Sequence, residues 1–179
     1  MDEETTGIRL AGLGGQGVVL AGLLLGHAAV YDGLHAAGSN SYGSQSRGSL
    51  STADVVISHT AIDYPHIELA SILVAMSQEG YDAYAGRLKA EGVILFDSGL
   101  VATHAGTRNQ KRFDVTATSI DSLKDRQAAN VIWTGILAGV TGLFSQKGLE
   151  LAIRANVPES HIESNLRALT LGIMMGKRT

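Results

Sequence analysis

Ile8-Arg9-Leu10-Ala11-Gly12-Leu13-Gly14-Gly15-Gln16-Gly17-Val18 is the stretch that decides the fold. Residues 8–13 form a short apolar run, which reads as a buried strand. Gly12 to Gly17 satisfies G-x-G-x-x-G. The motif has mechanical meaning only between a strand and a helix, and it stands in that setting here. Its glycines permit a tight turn and let backbone amides approach a ligand. The following helix end adds unpaired N–H groups and a partial positive charge, which suits a phosphate. Residues 18–31 are apolar on nearly every face and stop at Asp32-Gly33. A helix buried against a sheet is expected.

A dinucleotide site would also need an acidic residue at the end of the second strand, for the ribose. Asp32 has about the right sequence distance from Gly12. However, it falls before the second strand, expected at 34–38, and the strand end offers Gly38-Ser39-Asn40 without a carboxylate. A plainer reading is that the glycines serve close strand–helix packing alone. Gln16 is the unusual member, because its amide can both donate and accept, to a neighbouring loop or to a ligand.

Residues 39–51 are rich in serine and glycine and carry one charge, Arg47. A loop is expected there. Guanidinium, hydroxyls and backbone amides together can hold an anion. In a doubly wound fold this loop shares a sheet edge with the glycine loop, which is the ligand-binding edge. The alternative is a solvated or subunit-facing loop.

Further strands are expected at 52–58, 71–76, 92–96 and 112–118, with a helix at 78–89. From 119 onward the pattern is helical, with a buried helix at 131–144. Ser145 is placed to cap the next helix, which Pro158 ends. Ser160 and Glu163 make a capping-box pattern for a last helix reaching about Met175. Alternating strands and helices predict one α/β domain over residues 1–179. It is a three-layer α/β/α domain with a mainly parallel Rossmann-like sheet and a helical C-terminal third.

Composition narrows the function. The chain has 179 residues, 45% hydrophobic and 17% charged, with a net charge of −3. A charged share this low hints at a large partner interface, although a compact sheet-and-helix core gives the same bias. Nothing suggests nucleic acid. There are no cysteines, so no thiolate can ligate an iron–sulfur cluster. The start is acidic, and the apolar stretches fall short of the ~20 residues of a membrane span, so a cytoplasmic protein is expected. Six histidines show no metal-ligand spacing, and no catalytic triad can be placed. Asp97-Ser98 closes a strand at the ligand edge, where an aspartate commonly caps or turns the chain.

The glycine loop, taken with Ser41-Tyr42-Gly43…Ser46-Arg47-Gly48-Ser49 and the strand Ala53-Asp54-Val55-Val56-Ile57-Ser58, resembles the gamma subunit of 2-oxoacid:ferredoxin oxidoreductases. Ile62-Asp63-Tyr64-Pro65 and Leu73-Val74-Ala75-Met76-Ser77-Gln78-Glu79 look most like the 2-oxoglutarate type. Ala129-Asn130 and Pro158…Glu163-Ser164-Asn165-Leu166…Gly172 are compatible, so the resemblance spans nearly the whole chain. It implies a subunit inactive alone, within an enzyme that converts a 2-oxoacid, here 2-oxoglutarate, to an acyl-CoA and CO2. Thiamine diphosphate and iron–sulfur clusters then belong to partner subunits: alpha and beta, and a delta subunit where one exists. Ferredoxin or flavodoxin accepts the electrons. This chain would bind no cofactor firmly. It would hold subunits together and help place CoA, with Gly12, Gly14, Gly15, Gln16, Gly17, Ser44 and Arg47 as the site. A free-standing nucleotide- or flavin-binding protein and a purely structural scaffold are the alternatives. The family usually has a second glycine where Ser49 stands, and a positive φ there would strain a serine.

Overall fold

In the computed structural model, residues 5–43, 48–107 and 109–179 are described. The opening apolar run forms β1 (Thr6–Leu13), and the apolar stretch beyond the glycines forms α1 (Val18–Tyr31). β2 (His35–Tyr42), β3 (Leu50–Ser58), β4 (Ala70–Ala75), α2 (Gln78–Tyr84), β5 (Leu88–Asp97) and β6 (Gln110–Phe113) follow. The rest is helical: α3 (Val115–Leu123), a 3-10 turn (Arg126–Ala128), α4 (Ala129–Thr141), α5 (Gln146–Asn156) and α6 (Glu159–Gly176). Among the described residues, no helix is long and apolar enough to cross a membrane.

The sheet order is β2-β3-β1-β4-β5-β6. β1, β4, β5 and β6 pair in parallel succession. β3 is antiparallel to both of its neighbours, β1 and β2. β2 therefore points the same way as β1, and β3 alone is reversed. The expected mainly parallel sheet forms, with one local exception: the 39–51 segment begins as strand and turns back as a hairpin. A hairpin needs only a short loop, whereas a parallel return would need a crossover of a dozen residues or more.

Strand alternation divides the core. Ile8 and Leu10 of β1 face the larger cluster, built with Leu24 and Leu25 of α1, Trp133 and Ile136 of α4, Leu149 of α5 and Leu169 of α6. Ala11 faces a smaller cluster with Leu73, Ile94, Tyr81 of α2 and Val101. The second layer of helix is thus one short element. On that thin side, Arg9 and its cross-strand neighbour Asp54 form a nearly buried ion pair. Arg9 Nε donates to Asp54 Oδ1 at 2.7 Å, and Nη2 donates to the Ile67 carbonyl at 2.9 Å. The guanidinium lies 4.6 Å from the Tyr84 ring centre. The Asp54 hydrogen bond raises the Arg9 pKa further above its ordinary value, against the opposing effect of burial.

Three expected elements move, each for a tertiary reason. The helix expected at 78–89 ends at Tyr84, because β4 captures the next segment: Ala70 N donates to Arg87 O at 2.9 Å, and Leu88 pairs with Ala70. The strand expected at 112–118 ends at Phe113 and turns into α3. Asp97, from β5, accepts the Thr116 amide at 2.9 Å and so caps that helix from a distant part of the sequence. The capping box at 160–163 does not form. α6 begins at Glu159 after Pro158, already placing Ser160 inside its first turn, and no side chain caps it. Ser145 does cap α5, accepting from Gly148 N at 2.9 Å.

Candidate functional site

β1 ends where its own glycines turn the chain. Gly12 is still in the strand, opposite Ser51. A Cβ there would come within 2.6 Å of Gln16 Oε1, so Gly12 serves close packing. Gly15 has φ 98° and Gly17 has φ 73°, both left-handed, which favours glycine. Gly17 is the N-cap of α1 and has no side chain with which to cap it. The first-turn amides of Val18, Val19 and Leu20 therefore lack helical acceptors, as in any helix start.

Gln16 pins the loop from within. Leu13 N donates to its Oε1 at 2.6 Å, and its Nε2 donates to the Met76 carbonyl at 2.8 Å. Met76 N in turn donates to Ala11 O at 2.8 Å. The loop is thereby locked to the end of β4, and both functional atoms of the Gln16 amide are used inside the protein. Asn130 of α4 packs on Gly17 from 113 residues away, its Nδ2 reaching the Gly17 carbonyl at 3.5 Å.

The β2–β3 loop meets the glycine loop directly. Gly14 N donates to Ser49 O at 2.8 Å, and Gly48 N to Gly14 O at 3.4 Å. The positive φ falls on Gly48, at 79°, and Ser49 is not left-handed. Serine therefore fits at the position where strain was expected. Between the loops lies an open cleft of about 430 Å³. Gly14, Gly15, Gly17 and Val18 form one wall, and Tyr42, Gly43 and Ser49 help form the other.

Of the sequence-derived site residues, Gly14, Gly15 and Gly17 come together on this cleft, while Gly12 and Gln16 support it from behind. Ser44 and Arg47 lie outside the described residues. Tyr42 and Gly43 extend the sequence-derived set, and their signal was the Tyr-Gly pair entering the serine-rich loop. Asn130 is a second addition. Only its place in Ala129-Asn130, at the start of the apolar helix, pointed to it.

A second cleft of about 290 Å³ lies beyond Gly15 and Gln16, bordered by Asp97, Thr116, Arg126 and Trp133. Asp97 is buried, with both oxygens taken. Oδ1 accepts from Gly99 N at 3.0 Å, and Oδ2 from the Thr116 amide and from its hydroxyl at 2.7 Å. It acts as a structural cap. Among the described residues, no three His, Asp or Glu side chains cluster to hold a metal.

The dinucleotide reading loses its acid. Asp32 accepts from Ser145 N at 2.7 Å and from the Ser145 hydroxyl, joining the end of α1 to the start of α5. β3 also stands between β1 and β2, so the end of β2 is two strand spacings, about 10 Å, from the glycine loop.

Fold and cleft together define an α/β glycine-loop protein whose cleft is bordered by the loop glycines and the first turn of α1. More particularly, the chain belongs to the pyruvate ferredoxin/flavodoxin oxidoreductase family, whose model matches residues 7–175. It is 39% identical to the 2-oxoglutarate synthase subunit KorC of Methanocaldococcus jannaschii, over 95% of this chain and 93% of that one. The gamma subunit of a keto/oxoacid ferredoxin oxidoreductase from Geobacter sulfurreducens superposes with a TM-score of 0.88 at 33% identity, covering 98% of each chain. The ketoisovalerate oxidoreductase subunit VorA of Methanothermobacter marburgensis is 32% identical over 92% of this chain, which is only 35% of that longer one.

Proposed function

We infer that this chain is the gamma-type subunit of a multisubunit 2-oxoacid:ferredoxin or flavodoxin oxidoreductase, with 2-oxoglutarate as the 2-oxoacid and succinyl-CoA and CO2 as products. Its part is to join the complex and to help place CoA. The observation that carries this reading is the full-length likeness to a 2-oxoglutarate synthase subunit, in a chain whose motif glycines Gly14, Gly15 and Gly17 line an open cleft.

Thiamine diphosphate would supply the decarboxylation chemistry and iron–sulfur clusters the electron path, both from partner subunits. The absence of cysteine here agrees with that division. This chain's own residues would bind and orient. The backbone of Gly14 and Gly15 lets a phosphate come close, and the first-turn amides of α1 donate to its oxygens. Arg47 and Ser44, assigned on sequence grounds, add a charged fork and a hydroxyl. Assembly alone is the second reading. It draws on the internal use of Gln16 and Gly12, which shows that part of the motif is already spent on packing.

Steady-state kinetics of the assembled enzyme separate the two. Arg47→Ala is expected to raise the KM for CoA about tenfold or more, the size of one charge-assisted hydrogen bond. The KM for 2-oxoglutarate should stay unchanged. If Arg47→Ala and Gly15→Ala both leave the CoA KM untouched, the cleft has no part in placing CoA and assembly alone remains.

A further inference from the structure

The sheet order puts a switch point beside β1. After β1 the chain builds β2 and β3 on one side, then crosses to β4 on the other. In open α/β sheets, ligands bind at such a point, in the crevice outside the carboxyl ends of the strands. The glycine-loop cleft lies on the β3 side, against Ser51. The second cleft lies on the β4 side, between Gly15 and Gln16 after β1, Met76 after β4 and Asp97 at the end of β5. Its volume of about 290 Å³ is near the lower end for small-molecule pockets, so it suits a small ligand.

The far wall comes from the helical third. Arg126, Ala129 and Trp133 follow at spacings of three and four, so they share one side of the 3-10 turn and α4. Trp133 is 1% exposed. Its indole N–H donates to no acceptor among the described residues, yet no buried side-chain nitrogen or oxygen there is left unpaired. The N–H is therefore not sealed in, and it opens on the cleft that Trp133 borders. At the rim, the exposed Arg126 guanidinium has no partner among the described residues. Met76 and Ala129 supply apolar wall between rim and indole.

We propose that this cleft binds a small organic carboxylate with a second oxygen acceptor at its far end. The carboxylate pairs with Arg126, the carbon chain lies along Met76 and Ala129, and the far oxygen accepts from the Trp133 N–H. That far oxygen is neutral, a carbonyl or hydroxyl, because the carboxylate of Asp97 is buried on the inner side of the cleft and repels a second charge. A phosphate has no apolar part to cover Met76 and Ala129. A ligand seated here also rests on Gln16 and Met76, whose hydrogen bond fixes the glycine loop.

Trp133 is the chain's only tryptophan, so its fluorescence reports on the cleft directly. The test titrates the full chain with 4-oxopentanoate, pentanoate, succinate and inorganic phosphate, with calorimetry alongside. 4-Oxopentanoate should bind saturably and shift the emission. Pentanoate, which lacks the far oxygen, should bind about tenfold more weakly, the size of one hydrogen bond. Arg126→Ala should weaken 4-oxopentanoate binding about tenfold or more, and Arg154→Ala, on the exposed side of α5, should leave it unchanged. No saturable binding of 4-oxopentanoate by either method overturns the site. Equal binding by Arg126→Ala overturns the role of the guanidinium. Equal binding of pentanoate, succinate or phosphate overturns the ligand class. The pentanoate comparison uses the wild-type chain and decides alone should Arg126→Ala not fold. Displacement of 4-oxopentanoate by CoA overturns the separateness of the two clefts. The other readouts do not involve the glycine-loop cleft, so their failure leaves its proposed role standing.

Discussion

Gly15 and Gly17 take left-handed backbone under different constraints. A Cβ on Gly15 would meet open space, whereas one on Gly17 would collide with the Asn130 side chain. Gly15→Ala therefore carries backbone strain alone, about 1–2 kcal/mol, and Gly17→Ala should cost more; urea denaturation of both variants checks the order. Arg9 and Asp54 are the other residue-scale test. Removing one partner leaves a nearly buried charge, so Asp54→Ala should destabilise by about 3 kcal/mol. The joint replacement Arg9→Met with Asp54→Leu should recover most of that loss in the same assay. Because the folded pKa of Arg9 is raised, its contribution is fully present below the ordinary arginine value and is lost only as pH rises through the higher folded value. Melting curves should thus show no loss from this residue between about pH 6 and 9. The role of Gln16 was half legible. Its capacity to fix a loop could be read from the amide, but the acceptor, Met76, lies 60 residues on and carried no signal.

At the scale of elements, the helix pair α4 and α6 shows packing that periodicity did not reveal. Gly135 and Gly139 of α4 face Gly172 and Gly176 of α6, and a Cβ on Gly139 would come within 2.6 Å of the Ile173 carbonyl. The two backbones touch because neither helix puts a side chain between them. Gly139→Leu should therefore push the helices apart and cost about 2 kcal/mol or more, visible as a lower thermal midpoint. The spacing of four was in the sequence twice, yet it names no partner until the helices are placed. The same limit explains the element boundaries. β1, β3, β4 and α4 carry their own apolar patterns and were readable. The end of α2 and the start of α3 were not, because Ala70 and Asp97 decide them from other elements. The hairpin of β2 was hidden for a related reason. A strand of small polar residues at a sheet edge has little burial to give it a pattern.

The whole molecule is lopsided. α1, α4, α5 and α6 cover one face of the sheet with most of the core, and α2 covers the other. The glycine loop after β1 and, beyond β2, Gly43 and Ser49 gather at one edge and border the cleft between them. Low charge in the sequence fitted a partner interface and a compact sheet-and-helix core alike, because composition has no position. The family likeness in turn rested on two loops at a fixed spacing, and the structure brings their described parts into direct hydrogen-bonded contact. The full-length likeness to subunits of such enzymes marks a unit that works as part of a larger enzyme. The most direct measurement is affinity purification of the chain from its native host, with the co-eluting proteins identified and assayed. The account predicts co-elution with subunits carrying thiamine diphosphate and iron–sulfur clusters, and CoA-dependent oxidation of 2-oxoglutarate by the isolated complex. A chain that elutes alone, with no 2-oxoacid oxidation in any fraction that contains it, would contradict the account.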